Sequence, residues 1–243
     1  MNFLRISNTK QKQKSKMEAN QKTLLSIVVD RSGSMETMGK EPYNAINTFV
    51  NDQKGDNTDI TLLRFDNVCE RIIDVSPSNE FSITQEDILP RGTTALFQAI
   101  GEGIEYTESK AVGYDKVIFM IMTDGEENSS QGRFRGESGR RLVKELISKN
   151  EADKWEFYFL GANIDSRYVG DSLGFTPGHC IDFTPDMAGC ASAVRSCSQA
   201  VSRARVGDSS DFNDEEREMS MGLDSPSPPV TRNAKRLREV SRN

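Results

Sequence analysis

The stretch TLLSIVVD, residues 23–30, decides the architecture. It is polar only at Thr23, Ser26 and the closing Asp30, and it runs straight into RSGSM (31–35). A strand that is apolar nearly throughout, rather than at alternate residues, belongs to a parallel sheet covered by helices on both faces. KVIFMIMTD (116–124) repeats the pattern and also closes on an aspartate, and WEFYFLGAN (155–163) is a third such run. DITLLRFD (59–66) and VCERIIDVS (68–76) read as a strand pair turning at Asp66–Asn67.

Helical patterns fall between the strands. Residues 41–53 place Ala45, Ile46, Phe49 and Val50 on one face, and residues 95–108 place Leu96, Ile100 and Ile104 in line. Residues 138–149 group Leu142, Leu146 and Ile147, and residues 186–205 carry Met187, Val194, Cys197 and Val201 on a stripe. The alternation predicts a doubly wound, Rossmann-like α/β domain over 22–206, with a mostly parallel central sheet, helices on both faces and one antiparallel edge strand. Ligands of such folds bind at the carboxyl ends of the strands, where strand order reverses.

Composition narrows the function. The 243 residues hold 31 Lys+Arg and 37 Asp+Glu, a net charge of −6, which argues against a nucleic-acid binder. One histidine excludes multi-His metal sites. No apolar run approaches the ~20 residues needed to span a bilayer, and the opening MNFLRISNTKQKQKSK lacks a signal-peptide core. The expected location is the cytoplasm, with the four cysteines reduced. Segments 1–21 (basic) and 207–243 (acidic, then SPSPP, then a basic end) read as disordered and dispensable for folding.

Three loops carry the chemistry. Asp30-Arg31-Ser32-Gly33-Ser34 follows the first strand, and a curled loop there sends Asp30, Ser32 and Ser34 toward one volume. Thr123-Asp124-Gly125 closes the 116–124 strand, and Arg91-Gly92-Thr93-Thr94 opens the helix that starts near 95. Together they offer Asp30, Asp124, Ser32, Ser34 and Thr94: two carboxylates and three hydroxyls, with no thiolate or imidazole. That donor set suits a hard cation, Mg²⁺ first, with Mn²⁺ or Ca²⁺ next.

These residues resemble the metal-ion-dependent adhesion site of von Willebrand factor type A domains. The family pattern is D-x-S-x-S, a distant Thr and an Asp closing a later strand; DRSGS (30–34), Thr94 of GTTAL and TDG (123–125) match it. Family loops that read G-G-T-[PA]-L put Thr94 in the ligand role. The segments TDGEEN, WEFYFLGANID and SLGF are similar to stand-alone intracellular members in bacteria and their viruses. The resemblance implies a non-enzymatic module whose Mg²⁺ bridges to an Asp or Glu of a partner protein. An alternative is an accessory subunit of a chelatase-type or stress-response ATPase; the chain has no G-x-x-x-x-G-K-[ST] loop of its own.

Other residues read more plainly. Cys180, Cys190 and Cys197 with His179 lack zinc-ligand spacing and are expected as buried small side chains. A haloacid-dehalogenase-like nucleophile at Asp30 would need a second Asp two residues on, where Ser32 stands. RFRGESGRR (133–141) is a solvated basic loop or a contact for an acidic partner, and Glu126 and Glu127 face the crevice or start the next element.

Overall fold

The computed structural model describes residues 21–55 and 57–223. Six strands form one sheet in the order β3-β2-β1-β4-β5-β6. They are β1 (Thr23–Asp30), β2 (Thr58–Phe65), β3 (Cys69–Pro77), β4 (Lys116–Thr123), β5 (Glu156–Ala162) and β6 (Cys180–Phe183). All pairings are parallel except β2 with β3, which makes β3 the antiparallel edge. The helices are α1 (Glu41–Asp52), α2 (Leu96–Lys110), α3 (Gly136–Ala152), α4 (Ser166–Leu173), α5 (Met187–Arg205) and α6 (Asp214–Ser220).

β1 shows why the runs are apolar throughout. Leu25, Ile27 and Val29 join a core with Ile46, Phe49 and Val50 of α1 and Val194, Cys197 and Val201 of α5. Leu24 and Val28 point the other way, into a core with Leu96, Ile100 and Ile104 of α2 and Val143 and Ile147 of α3. The period-2 alternation of a strand therefore feeds two cores instead of one core and solvent. Ser26 is the polar exception, and its hydroxyl pairs with that of Thr107 on α2 at 2.7 Å. α2 approaches the sheet closely at Gly103, where a β-carbon would lie 3.0 Å from Val28 Cγ2.

The chain winds outward from β1 through α1 to β2 and β3. α2 then carries it back across to β4, and α3 and α4 extend the sheet to β6. Strand order thus reverses between β1 and β4, leaving a crevice at their carboxyl ends.

The expected boundary at 206 is corrected. Within the segment assigned to a disordered tail, residues 207–223 pack on the domain. Phe212 is buried and meets the Tyr158 ring edge-on. α6 opens with a capping box between Asn213 and Glu216, and Arg203 of α5 pairs with Glu216 at 2.7 Å. Arg217 donates to the carbonyls of Cys180 and Gly178, and Ser220 Oγ donates to that of Asp182. The segment covers the β6 edge, whose polar groups would otherwise stand open to pairing with another chain. Residues 1–20 and 224–243, and the expectations placed on them, lie outside the described residues.

Candidate metal centre

β1 and β4 are direct neighbours, Val29 opposite Met122, so Asp30 and Asp124 leave the sheet side by side. Asp30 is 1% exposed. Its Oδ1 accepts from the Ser32 backbone N–H at 2.6 Å, which curls the loop, and its Oδ2 accepts from Thr123 Oγ1 at 2.6 Å. The loop continues as a 3₁₀ turn, Gly33–Met38, whose Met35 and Met38 are buried and anchor it. Ser34 Oγ donates to Asp124 Oδ1 at 2.6 Å, and the Ser32 and Ser34 hydroxyls share a hydrogen bond of 3.1 Å.

Thr94 is buried, and its hydroxyl faces the same spot. A β-carbon on Gly125 would lie 3.2 Å from Thr94 Oγ1 and 3.9 Å from Ser34 Oγ. All five candidate residues therefore converge, and Gly33, Ser34, Gly92 and Thr93 leave the place open to solvent.

Its electrostatics are unbalanced. Burial pushes the Asp30 carboxyl up to about 7, against hydrogen bonds from Thr123 and Ser32 that lower it and the nearby Asp124 that raises it. Burial also raises Asp124, with the Ser34 bond opposing. Among the described residues Asp124 Oδ2 is buried with no hydrogen-bond partner, and no Lys or Arg pairs with either carboxylate. Two buried acids, one orphaned oxygen and three hydroxyls, with no nitrogen or sulfur donor, fit a hard divalent cation. Asp30, Ser32, Ser34, Thr94 and Asp124 would hold it. No group of three or more His, Cys, Asp and Glu side chains able to hold a metal occurs among the described residues.

The TDGEEN loop does more than supply Asp124. Asn128 Oδ1 accepts from Thr94 N–H at 2.9 Å, and the Asn128 N–H donates to Thr94 O at 3.0 Å. Glu127 turns from the crevice. Its carboxylate takes the N–H groups of Phe97, Ser129 and Ser130 and the Ser130 hydroxyl, capping α2 from another loop. Glu126 is exposed. Neither clamp was legible in the sequence, because each joins residues about thirty positions apart.

The alternative sites do not assemble. Cys180, Cys190 and Cys197 are buried free thiols, and burial pushes the first two up to about 12. His179 stacks on Tyr158 and bonds Ser210 through Nε2. The 133–141 stretch, expected as a loop, is helical from Gly136 on, the first turns of α3; Arg133 pairs with Glu105 and Arg140 with Glu137. No helix among the described residues is long and apolar enough to cross a membrane.

No protein-family model and no curated protein matches the chain in sequence. Solved structures do match in shape. The vWF domain of the type V pili tip protein Mfa5 from Porphyromonas gingivalis aligns over 76% of this chain and 96% of its own, with a TM-score of 0.57 and 10% identity. A D319A mutant of the PilB minor pilin from Streptococcus sanguinis aligns over 77% of this chain and 63% of its own, with a TM-score of 0.58 and 13% identity. Proximal thread matrix protein 1 from the mussel byssus, with a zinc-occupied MIDAS motif, aligns over 72% and 47%, with a TM-score of 0.51 and 18% identity. The chain thus spans less than two thirds of the latter two proteins. With the strand order, the switch point between β1 and β4 and these shared shapes in hand, the chain has the von Willebrand factor type A fold.

Proposed function

We propose that the chain is a non-enzymatic protein-binding module that works through a divalent metal, Mg²⁺ first, held by Asp30, Ser32, Ser34, Thr94 and Asp124. The observation that carries this reading is the pair of buried carboxylates at the β1/β4 switch point, without a cationic partner among the described residues and ringed by three hydroxyls. When bound, the ion supplies an electrophilic position that prefers an anionic oxygen, so the partner's anchor is an Asp or Glu. The chain's own groups do the rest. Ser32 N–H and Thr123 Oγ1 aim Asp30, and Ser34 holds Asp124 beside it. Asn128 keeps Thr94 over the same spot. The mussel protein's zinc-occupied motif is in keeping with this. The single histidine, His179, is committed to Ser210 and Tyr158, so no imidazole stands beside Ser32 or Ser34, which favours binding over Ser-His hydrolysis. The free cysteines fit a cytoplasmic setting.

The test is capture of partners by the full chain in Mg²⁺ and in EDTA, with Ser32→Ala and Thr94→Ala beside it. Partners retained in Mg²⁺ and lost in EDTA and in both variants support the reading. A partner held at full affinity in excess EDTA overturns it.

A further inference from the structure

Asp66 contributes nothing to the crevice itself, yet it touches both loops that supply the hydroxyls. Its Oδ2 accepts from Arg91 Nε at 2.6 Å and lies 3.1 Å from Arg31 Nε. Its Oδ1 accepts from the Val68 N–H at 2.9 Å, and its backbone oxygen from the Ala95 N–H at 2.8 Å. Arg31 stands between Asp30 and Ser32, and Arg91 precedes Thr94 on the other loop. Backbone bonds run alongside: Arg91 N–H to Arg31 O at 2.7 Å and Gly33 N–H to Gly92 O at 3.2 Å. Gly92 has φ +70°, and a β-carbon there would lie 2.7 Å from Asn67 Oδ1, so this loop is pressed onto the Asp66 turn. Arg31, Arg64 and Arg91 all reach Glu70 on β3, which ties the cluster to the sheet edge. Loops laced at this many points move as one body.

We propose that Asp66 is a positioning residue of the metal centre. Acting through Arg31 and Arg91, it fixes the spacing between the Ser32/Ser34 loop and the Thr94 loop and so favours a small divalent ion over a large one. This rests on the divalent-metal reading above. Mg²⁺ demands near-ideal octahedral oxygens at about 2.0–2.1 Å, whereas Ca²⁺ accepts irregular shells at about 2.3–2.6 Å. Loosened loops therefore cost Mg²⁺ more than Ca²⁺.

The experiment titrates the full chain, Asp66→Asn and Arg91→Met with Mg²⁺ alone and Ca²⁺ alone by calorimetry, with thermal unfolding in EDTA as the control. Arg91 has a side chain 55% exposed, so Arg91→Met carries the test if Asp66→Asn fails to fold. The expected result is cooperative unfolding in EDTA and a Mg²⁺ affinity at least about tenfold weaker, the usual effect of disturbing groups behind a metal's ligands. The Ca²⁺ affinity changes less, so the Mg²⁺/Ca²⁺ ratio falls. Equal losses for both ions mark general damage and overturn the proposal, as does no loss for either. A wild-type chain that binds neither ion overturns the metal reading and this proposal together, before any variant is measured.

Discussion

Asp30 closes β1, and Asp66 follows Phe65, the β2 residue registered against it; the two are 1% and 0% exposed. The protein treats their charges in opposite ways. Asp66 lies against Arg31 and Arg91; hydrogen bonds from Arg91 and the Val68 N–H, with the charges of both arginines, outweigh its burial and hold its carboxyl below the usual carboxylate range. Asp30 has only neutral donors and a second acid beside it, and burial dominates. One strand apart, the same side chain is a completed ion pair in one place and an unmet negative charge in the other. The difference is the supply of cations. Arg31 lies between Asp30 and Ser32 in sequence, yet its guanidinium turns to Asp66 and Glu70. Among the described residues no Lys or Arg pairs with Asp30.

The comparison breaks most readily at Asp66. Asp66→Ala leaves Arg31 buried with part of its pairing gone, and losing one partner of a buried pair costs about 3–5 kcal/mol. Asp30→Asn in EDTA is expected to leave stability unchanged or raised, because it removes a charge that burial disfavours. Chemical denaturation of both variants in chelator checks this, and a destabilised Asp30→Asn would end the contrast.

The pH response separates the two next. In EDTA, Asp30 holds its proton in the fold up to about pH 7 but only to 3.8 when unfolded. Its contribution is therefore full below pH 4 and fades as pH rises to 7, on the order of 4 kcal/mol for a shift of that size. Asp66, shifted down, contributes above its ordinary range and loses that as pH falls. Subtracting an Asp30→Asn curve from wild type isolates the first effect, and a flat difference between pH 4 and 7 would refute it.

Adding Mg²⁺ should erase the contrast. At a hundredfold excess over its dissociation constant it stabilises the fold by about 2.7 kcal/mol. That gain should vanish in Asp30→Asn and survive in a variant on the first turns of α3, such as Arg140→Gln. Melting temperatures with and without the ion read it directly.

The smallest expected effect lies at the second carboxylate. Asp124→Asn in EDTA should stabilise the apo form by about 1 kcal/mol, since it relieves a desolvated acid, while weakening Mg²⁺ binding. A variant that binds Mg²⁺ as well as wild type would remove Asp124 from the ligand set.

Much of this was legible in the chain. TLLSIVVD and KVIFMIMTD announce buried parallel strands, and the Asp66–Asn67 turn and the antiparallel β3 stand where the pattern puts them. β6 was missed, because CIDF is too short for a periodic signal. α6 was missed because its acidic composition resembles a tail. Only Phe212, a lone aromatic in that run, hinted at burial, and its partner Tyr158 is far away in sequence.

What the sequence determined by itself is the class of fold and the candidate loop at Asp30, Ser32 and Ser34, since apolar runs and D-x-S-x-S are local patterns; Thr94 and Asp124 were candidates from separate loops, and only the fold brings them to the same place. The tertiary structure alone decided which acids keep a cation. It also decided that Glu127 and Asn128 serve α2 and Thr94 instead of the crevice, and that residues 207–223 cover the β6 edge. The reason is physical. The charge state of a buried group depends on which distant side chains share its volume, and a linear pattern does not carry that information.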